Sequence, residues 1–356
     1  FPHYGDEYKV MGLAPYGKPK YIDQLRDVLC PTKSGGYKLS LKYFNHHNGV
    51  VEHGNVDGVP SVSQLFNLNT VEQLLGFPPR KSGEDMKEFH FDLAHSVQAM
   101  YEEIFFSILN KLHNKYKIDN LTISGGCGNN SVANGKVYRE TPFKNLYIAA
   151  SAGDSGGAIG AAYAALSEIS IVKDHKNFTM QHAYYGPSYS DDYIGSLIES
   201  RRDSLLDYSV SKAENEGTLC RTVAQMISDD KVIGWFQGRM EWGPRALGNR
   251  SILADPRKPN MKDLINAKIK KRESFRPFAP SILRGCVSDW FEEDDDVPFM
   301  MQVFLIKEEK RESLPAVTHV DGTGRLQTVS KDANPLYYKL ISAFNDISGV
   351  PIFLNT

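Results

Sequence analysis

Apolar residues recur every three or four positions from Asp92 to Leu112, at Leu93, Val97, Met100, Tyr101, Ile104, Phe105, Ile108 and Leu112. That spacing predicts one face of a long helix. Beyond it the rhythm changes. A short run, Asn120–Ser124, reads as a strand leading directly into Gly125-Gly126-Cys127-Gly128-Asn129-Asn130. A second run, Asn145–Ala149, ends at Ser151-Ala-Gly-Asp-Ser-Gly-Gly157, and a helix of small residues follows from Ala158 to Leu166. Strand, glycine turn and helix, repeated, is the grammar of an α/β fold. Between Ile169 and Ser190 the pattern lapses into polar and turn residues, which places a linker at 173–190 between domains of 1–172 and 191–356. Later signals are a strand at Lys231–Phe236, an arginine-rich segment, an acidic loop at Glu292–Asp296, a strand-like run at Phe299–Ile306 and an apolar terminal run from Gly349. The first 80 residues mix short apolar runs with Gly, Pro and Asn and predict few definite elements.

Length and composition narrow the function class. At 356 residues the chain is long enough for two domains, and 41% hydrophobic with 24% charged residues excludes wholesale disorder. No run reaches the ~18 apolar residues of a membrane span. Lys+Arg 41 against Asp+Glu 43 leaves a formal charge of -2, which disfavours a generally basic nucleic-acid binder. Cys30, Cys127, Cys220 and Cys286 lie far apart with no CxxC pair, so a zinc site or disulfide framework is not indicated and a cytoplasmic protein is expected. The chain starts at Phe1 and stops inside an apolar run, which suggests a piece of something longer.

Two groups of residues carry chemistry. A strand that ends in glycines before a helix directs backbone N–H groups outward, where they suit a phosphate. Gly125, Gly126 and Asn130 in one turn, with Gly153 in the other, are therefore nucleotide-binding candidates, or simply two strand-to-helix turns. Asp154 in the second turn is either a divalent-metal ligand or a helix cap. From Arg239 to Arg284 twelve basic residues face only four acidic ones, Glu241, Asp255, Asp263 and Glu273. The arginines sit in stiff Gly- and Pro-containing stretches, Trp242-Gly-Pro-Arg-Ala-Leu-Gly-Asn-Arg250 and Arg272-Glu-Ser-Phe-Arg-Pro-Phe-Ala-Pro280, which suits two-point phosphate recognition. Few aromatics interleave with these charges, so a pocket for small phosphorylated ligands is favoured over a nucleic-acid groove. His319 and Arg325 flank a polar turn, Asp321-Gly-Thr-Gly324, that either adds to an anion site or joins two strands. His46, His47 and His53 lack metal-pair spacing, and Cys127 has no evident His partner.

These segments, together with Gly5-Asp-Glu-Tyr-Lys-Val-Met-Gly-Leu-Ala-Pro-Tyr-Gly17 and Thr323-Gly-Arg-Leu-Gln-Thr328, resemble the O-carbamoyltransferases of the nodulation-protein-U and antibiotic-tailoring type. The resemblance implies part of a sugar-kinase/Hsp70/actin-like domain, similar to the tRNA threonylcarbamoyl transferase. A second α/β domain similar to threonylcarbamoyl-adenylate synthase is implied to follow it. It further implies that carbamoyl phosphate and ATP give carbamoyl-adenylate, whose carbamoyl group passes to a hydroxyl of a small-molecule acceptor, a sugar or secondary metabolite. Under that reading Arg245, Arg272 and Arg276 are catalytic, and Asn249, Arg250, Lys268 and Arg325 bind substrate. Gly125, Gly126, Asn130 and Gly153 approach the nucleotide, and Asp154 holds a divalent metal, Mg, Mn or Fe. The family's metal-binding histidines lie upstream of the Gly-Leu-Ala-Pro-Tyr-Gly segment, so full transfer by this chain alone is not expected. Threonylcarbamoyl-type transfer to tRNA and a non-catalytic binding module are the alternatives, and a homo-oligomer is left open.

Overall fold

The computed structural model describes residues 5–49, 53–56, 59–62, 65–81, 83–169 and 179–356; the start of the expected linker, 173–178, lies outside the described residues. The chain has a mixed α/β architecture and divides into two compact units. The first comprises Phe1–Leu121, Lys136–Leu146 and Arg272–Arg276, and the second Thr122–Gly135, Tyr147–Lys271 and Pro277–Thr356.

In the first unit helix α1 (Glu7–Leu13), the turn after it and a short helix at Ile22–Val28 pack along the long helix α2 (Glu88–Tyr116). Helix α2 extends the predicted one at both ends. It starts where the His90 ring accepts the Lys87 N–H at 2.8 Å and stops where Lys117 takes φ 55. Its buried side differs from the apolar stripe read from the sequence. Met100 and Ile104 are buried, but Val97 is 38% and Leu112 40% exposed, whereas Asp92 and Ser96 are buried. The reason is that α2 holds a loop by polar contacts. Asp92 accepts the Lys18 N–H at 2.8 Å and pairs with the Lys20 ammonium at 2.7 Å, and Ser96 Oγ accepts the Tyr21 N–H at 3.0 Å. A buried carboxylate so supplied with donors is satisfied rather than strained.

Strands β1 (Asn120–Ile123) and β2 (Asn145–Ile148) form a two-stranded sheet, and helix α3 (Gly157–Ile169) follows the second, close to the predicted positions. Next come helix α4 (Glu216–Ser228) and strands β3 (Ile233–Phe236), β4 (Arg250–Ala254), β5 (Ala279–Leu283) and β6 (Gln327–Val329). The chain closes with helix α5 (Pro335–Ser348) and strand β7 (Ile352–Asn355). The five strands form one sheet in the order β6-β5-β7-β4-β3. Only β6 and β5 run parallel; β7 pairs antiparallel with both β5 and β4, and β3 with β4, Phe236 opposite Arg250. Every residue of the terminal strand β7 is buried, as expected of a central strand that both neighbours cover.

Helices α4 and α5 pack together over this sheet. Cys220, Ala224 and Ile227 meet Leu340, Ile341 and Phe344, with Leu253, Ile282 and Phe353 beneath. Asn215 caps α4 and Asn334 caps α5, each side chain accepting a backbone N–H in the first turn. The predicted strand at Phe299–Ile306 is mostly irregular: only Phe304–Leu305 is in a strand, paired with Thr323–Gly324. Met300 takes φ 56, and the Val303 N–H bonds to the Ser131 carbonyl at 3.0 Å, so this apolar run is buried without a ladder.

Candidate functional site

Both glycine turns belong to the second unit. Gly125 takes φ 96 and its N–H donates to the Ala152 carbonyl at 2.7 Å, tying the first turn to the second. A methyl group at Gly126 would meet nothing within 4 Å, so its surface is open. Asn130 Oδ1 accepts the Ala133 N–H at 3.1 Å and thereby starts the next short helix. Gly153 lies close to the Asn129 amide and caps a short 3-10 turn whose first residue, Asp154, is exposed. Among the described residues no group of three or more His, Cys, Asp or Glu gathers as a metal site. Asp154 supplies a single carboxylate, too small a donor set for a divalent cation by itself, so no chemical step is assigned through a metal.

The arginine-bearing loop between β3 and β4 is built around Glu241. This carboxylate is 4% exposed, and its Oε1 accepts the backbone N–H groups of Leu247 at 2.7 Å, Asn249 at 2.7 Å and Arg250 at 3.1 Å. Amides and a phenol hold the loop's carbonyls: Gln327 Nε2 and the Tyr184 hydroxyl donate to Leu247 O, and Asn355 Nδ2 donates to Ala246 O. Gly248 takes φ 104, and a Cβ there would stand 2.2 Å from the Tyr337 ring, so glycine is required twice over. The same loop passes close to the strand before the second glycine turn, since a Cβ on Gly243 would lie 2.9 Å from the Ala150 carbonyl oxygen. Burial, with the nearby Glu241 carboxylate adding to it, keeps the Tyr184 phenol well above its usual range.

Three residues predicted to act from this loop fare differently. Arg245 is partly buried and Arg250 is exposed, its Nη1 3.8 Å from Met240 Sδ. Asn249 is 4% exposed and knitted into the fold. Its Oδ1 accepts from Gln237 and Asn334, and its Nδ2 donates to the Arg239 carbonyl at 2.8 Å. A small recess beside Tyr184, Leu247, Gln327 and Asn334 is lined by no lysine or arginine.

Several cations of the basic segment are engaged by acids or carbonyls of the fold, most of them outside the counted segment. Arg257 forms a forked pair with the fully buried Asp255, Lys258 meets Asp230 at 2.8 Å, and Arg284 binds Asp294 and Asp296 of the acidic loop, each at 2.5 Å. Arg239 donates to the carbonyls of Tyr185 and Gly186. Lys268 is exposed on the π-helical turn Ile265–Lys270. Arg325 stands near a buried ring that the sequence reading left open. His319 Nδ1 lies 3.0 Å from Thr323 Oγ1, which itself donates to Asp321 at 2.7 Å. Burial pushes the His319 imidazole down to about 4; Asp321 opposes this, and Arg325 and Lys262 add to it. Lys262 therefore joins Arg325 as a cation at this turn, a pairing no spacing rule gives.

Arg272 and Arg276 belong to the first unit. Burial, reinforced by the Arg276 guanidinium, pulls Arg272 down to about 10, while Tyr8 and Glu273 pull the other way. Arg276 donates to the Tyr8 hydroxyl at 2.8 Å, with its guanidinium carbon 5.0 Å from the ring centre. A carboxylate already faces this guanidinium, since Glu273 lies 3.6 Å from Arg276 Nη1.

Two family descriptions match: "Carbamoyltransferase N-terminus" over residues 1–163 and "Carbamoyltransferase C-terminus" over residues 224–356. The chain belongs to the carbamoyltransferase family. It is similar to the nodulation protein NolNO of Sinorhizobium fredii, 38% identical over 358 residues that cover 99% of this chain and 48% of that protein. Nodulation protein NolO of Bradyrhizobium diazoefficiens is 37% identical over 355 residues, covering 99% and 59%. An uncharacterized protein, sll1178, of Synechocystis is 37% identical over 376 residues, covering 98% and 58%. The chain spans about half the length of the curated relatives it matches. In this carbamoyltransferase chain the N-terminal match takes in α1, both glycine turns and Asp154, and the C-terminal match takes in all the arginines considered above.

Proposed function

We propose that the protein is an O-carbamoyltransferase that makes carbamoyl-adenylate from carbamoyl phosphate and ATP and passes the carbamoyl group to a hydroxyl of a small-molecule acceptor. In the first step the adenylyl group of ATP becomes joined to the carbamoyl oxygen. Pyrophosphate leaves ATP, phosphate leaves carbamoyl phosphate, and one water is consumed. The chemistry brings several phosphate charges together, and fixed cations lower that repulsion.

The observation that supports this reading is the match to both carbamoyltransferase descriptions, the C-terminal one taking in the half-buried Arg272 and Arg276. Arg245, Arg272 and Arg276 are each assigned a contact to phosphate. Arg250, Lys268 and Arg325 are assigned the outer phosphate contacts, with Asn249 presenting the loop. Gly125, Gly126, Asn130 and Gly153 are assigned to the adenylate.

The test is to supply carbamoyl phosphate and ATP to the protein and follow products by mass spectrometry. Carbamoyl-adenylate with stoichiometric pyrophosphate is the expected result. ADP as the sole nucleotide product, or no turnover, contradicts the reading.

A further inference from the structure

The helix Asp191–Ser200 of the second unit is exposed at every one of its 10 residues, several of them large and apolar. Tyr193 is 53%, Ile194 40%, Leu197 44% and Ile198 37% exposed. Positions spaced in this way share one face of a helix. The Tyr193 ring stacks on Tyr189 at 5.3 Å, and Tyr189 reaches the exposed Phe236 of the edge strand β3 at 6.3 Å. The apolar surface therefore runs from the helix onto the rim of the sheet. A helix this short is marginal in water unless its apolar face is covered, and the described residues leave that face open. Charge continues the same stripe, with Asp191 one turn before Ile194 and Arg201 one turn after Leu197. Among the described residues neither Asp191 nor Arg201 forms an ion pair, whereas Arg202 meets Glu199 at 3.3 Å.

We propose that this face docks a second copy of the protein, the two helices Asp191–Ser200 lying antiparallel about a two-fold axis. Charge selects that arrangement. Centred on Ser196, it sets Asp191 of each copy against Arg201 of the other, and Ile194 against Ile198. A parallel pairing would set acid on acid and cation on cation. The antiparallel one also opposes the two helix dipoles. Gly195 stands beside the crossing point, and a Cβ on it would meet nothing within 4 Å, so the helices have room to approach closely. An apolar centre with opposite charges at its rim is the anatomy of a protein interface.

Sedimentation velocity on the full-length protein, over a series of concentrations, tests this directly. Wild type sediments as a dimer at low micromolar concentration. Leu197→Asp, which places a charge in the centre of the contact, sediments as a monomer with an unchanged circular dichroism spectrum. Arg201→Asp sets like charges against each other twice across the axis and raises the dimer dissociation constant roughly ten- to a hundred-fold. Adding Asp191→Arg reverses both signs, and the double variant recovers most of the lost affinity. A wild-type monomer overturns the proposal, whether the face is then covered by more of its own polypeptide or left open. A dimer indifferent to Leu197→Asp overturns it too, as does a double variant no better than Arg201→Asp alone.

Discussion

His319 shows how much one buried ring can reveal. Its folded-state pKa lies below the ordinary value, so the unfolded chain binds a proton that the folded chain refuses. Stability from this site is complete above the ordinary histidine pKa of about 6.5 and is lost as pH falls from there toward 4. Melting temperature should drop between pH 7 and pH 5, and His319→Gln should flatten that dependence. Glu241 leads to a second expectation. Glu241→Ala strips three buried N–H groups of one acceptor, a loss of about 3 kcal/mol, visible as a lowered melting temperature, whereas Glu241→Gln retains the acceptor and most of the stability. His319 was read in the sequence only as flanking a polar turn, and Glu241 did not stand out at all. Glu241 was one of four acids interrupting a basic run, because a count of charges says nothing of which backbone groups a carboxylate faces. For the same reason the count overstated the free cations, since Asp230, Asp294 and Asp296 lie outside the counted segment.

Among elements, those with a strong period were legible. The long helix, both strand-to-glycine turns and the small-residue helix stand within a few residues of their predicted places, because periodicity reports local geometry. What was not legible depended on distant partners. Asp92 and Ser96 turned the face of α2 toward a loop, and Met300 broke an apolar run that pattern alone reads as a strand. Glycine substitutions separate structure from binding at this scale. Gly248→Ala meets both a positive φ and the Tyr337 ring, and should cost about 3 kcal/mol or more of stability. Gly126→Ala meets nothing, so its melting temperature should match wild type. If the first glycine turn cradles the nucleotide, that same Gly126→Ala variant binds ATP several-fold more weakly in calorimetry; unchanged ATP affinity removes Gly126 from the site.

For the molecule as a whole, family membership was readable from six ordered segments, and the two matching descriptions agree with it. The sequence order placed Arg272 and Arg276 with the other arginines of the later half. The fold instead seats them on α1, in a unit the chain revisits for five residues, since contacts rather than chain order define a unit. The central claim, that these guanidinium groups serve the phosphates of an adenylation step, is tested most directly by exchange of labelled pyrophosphate into ATP in the presence of carbamoyl phosphate. Each charged hydrogen bond to phosphate contributes roughly 1.5–3 kcal/mol. Wild-type protein should therefore catalyse exchange that requires carbamoyl phosphate, and Arg272→Ala or Arg276→Ala should slow it roughly ten- to a hundred-fold. Exchange that ignores carbamoyl phosphate, or that survives both substitutions undiminished, contradicts the account.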